Sequence, residues 1–134
     1  MIESPEERKV LVGLQLEKSQ SMLQQMQLGI DNEMWDMVAN RLYYALFHAV
    51  GALLINEGIQ VGTHKGAFLR FHEMFVKTGK FSKEESHMYS RLQQLREEGD
   101  YNCYIQTSED EILPFVEPTR QLISKISNML SSGS

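Results

Sequence analysis

The chain has 134 residues, with 18 acidic and 13 basic side chains, a formal charge of −5 and one cysteine. A chain of this length can bury roughly two-thirds of the surface its unfolded form exposes, so one domain with one core needs no staples. The lone Cys103 excludes an intrachain disulfide and a thiolate zinc site, and it reads as a small buried hydrophobe in a reducing compartment. No basic segment followed by an apolar core opens the chain, and no apolar run approaches the roughly 18 residues of a membrane span. The expectation is a soluble, cytoplasmic protein with no membrane association. The acidic balance argues against a generally basic nucleic-acid binder, because nonspecific affinity for a polyanion comes from neutralising phosphates with Lys and Arg. Any polyanion site must be a local patch.

Five helical segments are predicted. The first opens at the cap Ser4, with Pro5 at the first helical position and Glu7 completing a capping box, and is expected to end at Gly29. The second runs from about Asn32 to Asn56 and stops at Gly58. On it, Leu42, Leu46, Ala49 and Leu53 form an apolar stripe. The adjacent row Arg41, Ala45, His48 and Ala52 offers small residues where another helix can approach closely. Arg41 and His48 are polar groups beside that surface, so they must find partners. Thr63 caps a third helix through Lys77, closed by Gly79. Ser82 with Glu85 is a second capping box and opens a fourth helix through about Gly99; Ser108 with Glu111 is a third box. The last helix carries Pro118 too deep for a first turn, which predicts a kink or restart between Leu113 and Pro118.

No segment alternates apolar and polar residues, so the expected fold is all-α. It is an up-and-down antiparallel bundle of four main helices plus a shorter or kinked fifth segment. Residues 1–130 form one domain, and Ser131 to Ser134 a disordered tail. Charge is unevenly placed: residues 1–59 carry −4, residues 60–96 carry +4 and residues 97–134 carry −5. Lys65, Arg70, Arg91 and Arg96 in this basic island compose either a polyanion site or a solvated face that neutralises the acidic outer helices.

Phosphate loops, nucleophile elbows and His-Glu-x-x-His or paired Glu-x-x-His metal motifs are absent, and neither a metal nor a cofactor is expected. Two stretches stand above this background. One is the run from Asn40 to Ala49, whose Tyr43, Tyr44 and Phe47 read first as core aromatics. The other is Leu95 to Tyr104, where Arg96, Asp100 and Tyr101 fall at spacings that converge on one helix face.

Taken in order, four motifs resemble small stand-alone prokaryotic members of the HEPN superfamily. They are the helix from Tyr43 to Ala49, the helix start Thr63-His64-Lys65-Gly66, the turn Phe75 to Lys80, and the helix end from Leu95-Arg96 to Asp100-Tyr101. The resemblance implies a helical bundle that commonly homodimerises and is encoded beside a minimal nucleotidyltransferase in a toxin–antitoxin or related pair. It also implies, in many members, a metal-independent ribonuclease whose motif is Arg followed four to six residues later by His. Arg96 matches that Arg; residues 100–102 are Asp, Tyr and Asn, so the His is missing. Metal-free RNA cleavage needs an acid, a base and cationic stabilisation, and Arg96 supplies only the last of these.

The first reading is therefore a binding module that holds nucleotide or RNA phosphate through His64, Lys65 and Arg96, with Arg41 as a further cation, and pairs with a nucleotidyltransferase. The second is a ribonuclease toxin using Arg96 with Asp100 or Tyr101, and the third a helical scaffold without ligand. In related systems the partner attaches AMP to a tyrosine near this helix end, which implies Tyr101 or Tyr104 as the acceptor.

Overall fold

Side-chain caps fix where most helices begin. The structure, a computed structural model, describes residues 4–101 and 106–132, and its regular elements there are all helical. Helix α1 spans Pro5–Asp31, α2 Trp35–Asn56, α3 His64–Phe71, α4 Lys83–Tyr101 and α5 Glu109–Ser132, with a π-helical turn over His72–Val76 after α3. The all-α expectation holds, with four long helices and one short one. Cys103 and Tyr104 lie outside the described residues.

Ser4 Oγ accepts from the Glu7 N–H at 3.0 Å and Thr63 Oγ1 from the Gly66 N–H at 2.9 Å. Two capping boxes close in both directions. Glu85 N–H donates to Ser82 Oγ at 3.1 Å while Ser82 N–H donates to Glu85 Oε1 at 2.8 Å; Ser108 and Glu111 repeat this at 3.3 and 3.1 Å.

Four boundaries differ from expectation. Gly29 does not end α1, which continues to Asp31; it is instead where α2 passes, since a Cβ there would sit 3.0 Å from Val38 Cγ2. The chain reverses at Asn32 and Glu33, the latter at φ +54°, and α2 starts only at Trp35 because those residues form the turn. The third helix is not uniform to Lys77. It widens to π geometry after Phe71, with Lys77 N–H bonding His72 O at 2.9 Å. The extra residue in that turn lets Phe71, Phe75 and Val76 all enter the core, where Phe81 packs on both rings.

Finally, α5 neither breaks nor restarts at Pro118; it runs continuously through Pro114 and Pro118. The two prolines stand one turn apart on the exposed side, where water can satisfy the carbonyls whose N–H partners they lack. At the other end Ser131 and Ser132 continue the helix, with Ser132 Oγ donating to Asn128 O at 2.9 Å, so the expected tail is helical that far. Gly133 and Ser134 lie outside the described residues.

Helix α2 is the axis of the bundle. The pairs Gln15–His48, Ser19–Ala45 and Gln25–Arg41 run in opposite senses and show α1 antiparallel to it. α5 lies antiparallel to α4 through Thr119–Met88 and Lys125–Glu85. By length and mean hydropathy α2 is capable of crossing a membrane, contrary to the run-length reading; 67% of that apolar window is buried inside the bundle. Leu42, Leu46, Ala49 and Leu53 are buried as the stripe predicts. The small-residue row admits α1 so closely that the wholly buried Ser19 donates its hydroxyl to Ala45 O at 2.7 Å. Replacing Ala45 by Leu forces α1 away and should destabilise the fold by about 1–3 kcal/mol. The exposed Val10→Ala should stay within about 0.5 kcal/mol. Urea midpoints of the two variants check the contrast.

Candidate functional site

A buried tyrosine joins the second, third and fourth helices. Tyr43 on α2 is 0% exposed, and its hydroxyl lies 2.8 Å from Nδ1 of His64, the first residue of α3. The Arg96 guanidinium of α4 sits over the same ring, 5.1 Å from its centre, and 5.8 Å from the centre of Tyr44. His64 also packs on Phe47, with ring centres 4.5 Å apart. Two of the four binding residues expected from sequence, His64 and Arg96, thus meet around one phenol although 32 positions separate them. The loop from Glu57 to Thr63 makes this possible by leading α3 back along α2.

The hydrogen placement follows from the partners. Arginine nitrogens only donate, so Arg96 cannot take the phenolic hydrogen. His64 Nδ1 is the acceptor within reach, which leaves the ring hydrogen of neutral His64 on Nε2. Burial first, and then the Arg96 charge, hold the His64 pKa below the ordinary imidazole value, with Glu97 partly offsetting them. His64 is therefore a neutral hydrogen-bond donor at neutral pH. Burial pushes the Tyr43 phenol well above its usual range, the Arg96 charge working the other way.

Arg96 is 6% exposed. It donates to Asp100 Oδ2 at 3.3 Å and lies 3.9 Å from Glu97 Oε1, while its Nε has no hydrogen-bond partner. Burial opposes its charge, but the Asp100 hydrogen bond and the neighbouring phenols outweigh this and raise its pKa. Asp100 therefore converges on Arg96 as the spacing predicts. Tyr101 does not: it is 82% exposed, and nothing among the described residues ties it to the cluster. Lys65 is exposed beside His64.

Arg41 points elsewhere. Its Nε donates to Gln25 Oε1 at 2.5 Å and its Nη1 to Asn40 Oδ1, which answers the demand for partners on the small-residue row. His48 is answered likewise by Gln15 of α1, 2.7 Å away. Of the aromatics read as core, only Tyr43 is; Tyr44 and Phe47 are half-buried and form a rim with His48 and His64. Sequence reasoning missed Tyr43 as a connector, because no spacing along α2 records what a later helix places above it.

The basic island is largely uncompensated. Among the described residues, Lys65, Arg70, Lys77, Lys80, Lys83 and Arg91 make no ion pair, while Arg96 pairs within its own helix. That weakens the reading of these charges as neutralisers inside the bundle.

Comparison with known proteins gives a concordant result. The HEPN domain description matches residues 13–129. A "UPF0332 protein" of Thermotoga maritima is 29% identical over 124 residues, 92% of this chain and 94% of the relative. Another "UPF0332 protein", from Archaeoglobus fulgidus, is 26% identical over 120 residues, 90% and 95% of the two chains. A Methanocaldococcus jannaschii protein named "Putative toxin MJ0142" is 27% identical over 96 residues, 72% and 65% of the two.

The depressed pKa values of His64 and His48 set a sign for stability against pH. Between those values and 6.5 the unfolded chain binds more protons than the folded one. The stabilisation is complete above 6.5 and is lost as pH falls below it. Denaturant midpoints should drop between pH about 7.5 and about 5.5, and Arg96→Gln should raise the His64 pKa in an NMR titration. A His64 pKa that does not move would contradict the placement of Arg96.

Proposed function

The chain belongs to the HEPN family, and from that premise we propose that it is a phosphate-recognition module acting in a toxin–antitoxin-like system, paired with a nucleotidyltransferase. The observation that carries this reading is the Tyr43 junction. It gathers the Nε2–H of His64 and the guanidinium of Arg96 around one ring, with the exposed Lys65 following His64 in the first turn of α3, and each of these groups donates. Such donors match the oxygens of a nucleotide or RNA phosphate, which would compete with Asp100 for the Arg96 guanidinium. The unpaired cations from Lys65 to Arg91 extend the same field and favour a polyanion over a single free phosphate. The toxin names of two relatives support the system-level role, and the partner reading rests on the family. Homodimerisation and a cytoplasmic setting belong to the same proposal.

A ribonuclease using Arg96 with Asp100 or Tyr101 has less support. Asp100 is held by Arg96, Tyr101 stands away from it, and the lone pair of His64 Nδ1 is taken by Tyr43. Tyr101, being exposed, keeps its place as a proposed acceptor of AMP.

The test is the salt dependence of binding to a short single-stranded RNA. Lys65→Ala should flatten the slope of log affinity against log salt by about 0.7, the value for one single-strand phosphate contact. Arg96→Gln should weaken binding and flatten the slope too, and Arg41→Ala should leave binding unchanged while lowering stability. Unchanged slopes in both Lys65→Ala and Arg96→Gln reject the site. Incubating the RNA with wild-type protein in EDTA should leave it intact.

A further inference from the structure

His48 mirrors His64. Its Nδ1 lies 2.7 Å from Gln15 Oε1, and an amide oxygen only accepts, so the hydrogen of neutral His48 is on Nδ1 and Nε2 presents a bare lone pair. That Nε2 has no hydrogen-bond partner among the described residues and is not closed off from solvent. Burial, then Lys18, then His64 keep the ring from protonating, so the acceptor persists at neutral pH.

The two imidazoles pack against the same pair of half-buried rings. Phe47 is 5.5 Å from His48 and 4.5 Å from His64, which bounds their separation at about 10 Å. Tyr44 is 6.3 and 5.7 Å from them. The surface thus brings the donors of His64 and Arg96 and the acceptor of His48 around the same aromatic rings.

A fully ionised phosphate offers His48 nothing to accept. In a nucleotide chain, the donor that is close to the phosphate and present whatever the base is the ribose 2′-hydroxyl, the group that separates RNA from DNA. We propose that His48 is a specificity-determining residue of this surface: its Nε2 accepts a hydrogen bond from the 2′-hydroxyl of a ribonucleotide whose phosphate lies on His64, Lys65 and Arg96. This rests on the phosphate reading above and narrows its ligand to the ribose series. Tyr44 and Phe47 supply the ring faces against which a splayed base stacks.

The experiment compares binding of labelled oligouridylate and its 2′-deoxy counterpart to the full chain by fluorescence anisotropy. Wild type should favour the ribose form about 3- to 10-fold, the weight of one neutral hydrogen bond. His48→Phe keeps the ring and removes the acceptor, and should bind both at the wild-type deoxy affinity. Gln15→Leu, which leaves the imidazole but frees its tautomer, should reduce the ratio, so the idea remains testable if His48→Phe fails to fold. Equal wild-type affinities overturn the proposal, as does a preference that survives both substitutions. An oligocytidylate pair should give the same ratio; a preference that follows the cytosine amine instead of the sugar also overturns it. If deoxy binding stays salt-sensitive while the ribose preference is missing, His48 alone is rejected. If neither oligonucleotide binds, the phosphate reading falls with it.

Discussion

The phenol of Tyr43 is wholly buried, and the acceptor within hydrogen-bond distance of its hydroxyl is the ring of His64. That single constraint orients the first residue of α3, and with it the helix start and Lys65. It also fixes which imidazole nitrogen faces outward. Arg96 can lie buried because the aromatic faces of Tyr43 and Tyr44 and the carboxylate of Asp100 together replace part of the water it lost. Tyr43 touches side chains of both neighbouring helices, so a phenol-to-phenylalanine change would reach the orientation of a residue on another helix while leaving the core volume almost intact.

What the sequence made legible was mostly local. The reciprocal boxes at Ser82 and Ser108 were readable because cap and acceptor lie three residues apart, and the α1–α2 contact because small residues recur every four positions. Arg96 emerged from the charge map and from the family resemblance alike. Gly29 was misread because a glycine near a helix end has two uses, reversing the chain or letting a neighbour approach, and only the position of Val38 decides. The π turn escaped because its cause is distant: Phe71, Phe75 and Phe81 share one pocket of core. Tyr101 failed to join Arg96 although its spacing allowed convergence, whereas His64 joined it with no spacing to predict it. Long-range placement by the α2–α3 loop wrote the second outcome, and helical rotation at the end of α4 the first.

The electrostatic pattern gains meaning once position is known. Asp31, Glu33 and Asp36 sit at the α1–α2 turn, and Thr107 N–H reaches Asp36 Oδ1 at 2.7 Å, bringing the acidic start of α5 to the same end. Glu97, Glu98 and Asp100 close α4 there. Lys77, Lys80, Lys83 and Lys125 lie toward the opposite end, where Lys125 meets Glu85 at 3.1 Å. A net charge of −5 therefore describes a polarised molecule. An approaching polyanion is drawn toward the lysine end, while beside Arg96 the carboxylates of Glu97 and Asp100 work against the attraction of the guanidinium.

The paired prolines of α5 have a kinetic consequence. Pro114 and Pro118 remove two rungs of the hydrogen-bond ladder in successive turns, while Leu122, Ile123 and Ile126 further along are buried and fully laddered. The helix is thus one cylinder in shape but two units in its opening. Its first turns can peel from the bundle without lifting the rest, much as a zipper with missing teeth parts only as far as the gap. Slow amide exchange should accordingly begin after Pro118, and the segment beside Asp36 should sample open states on its own schedule.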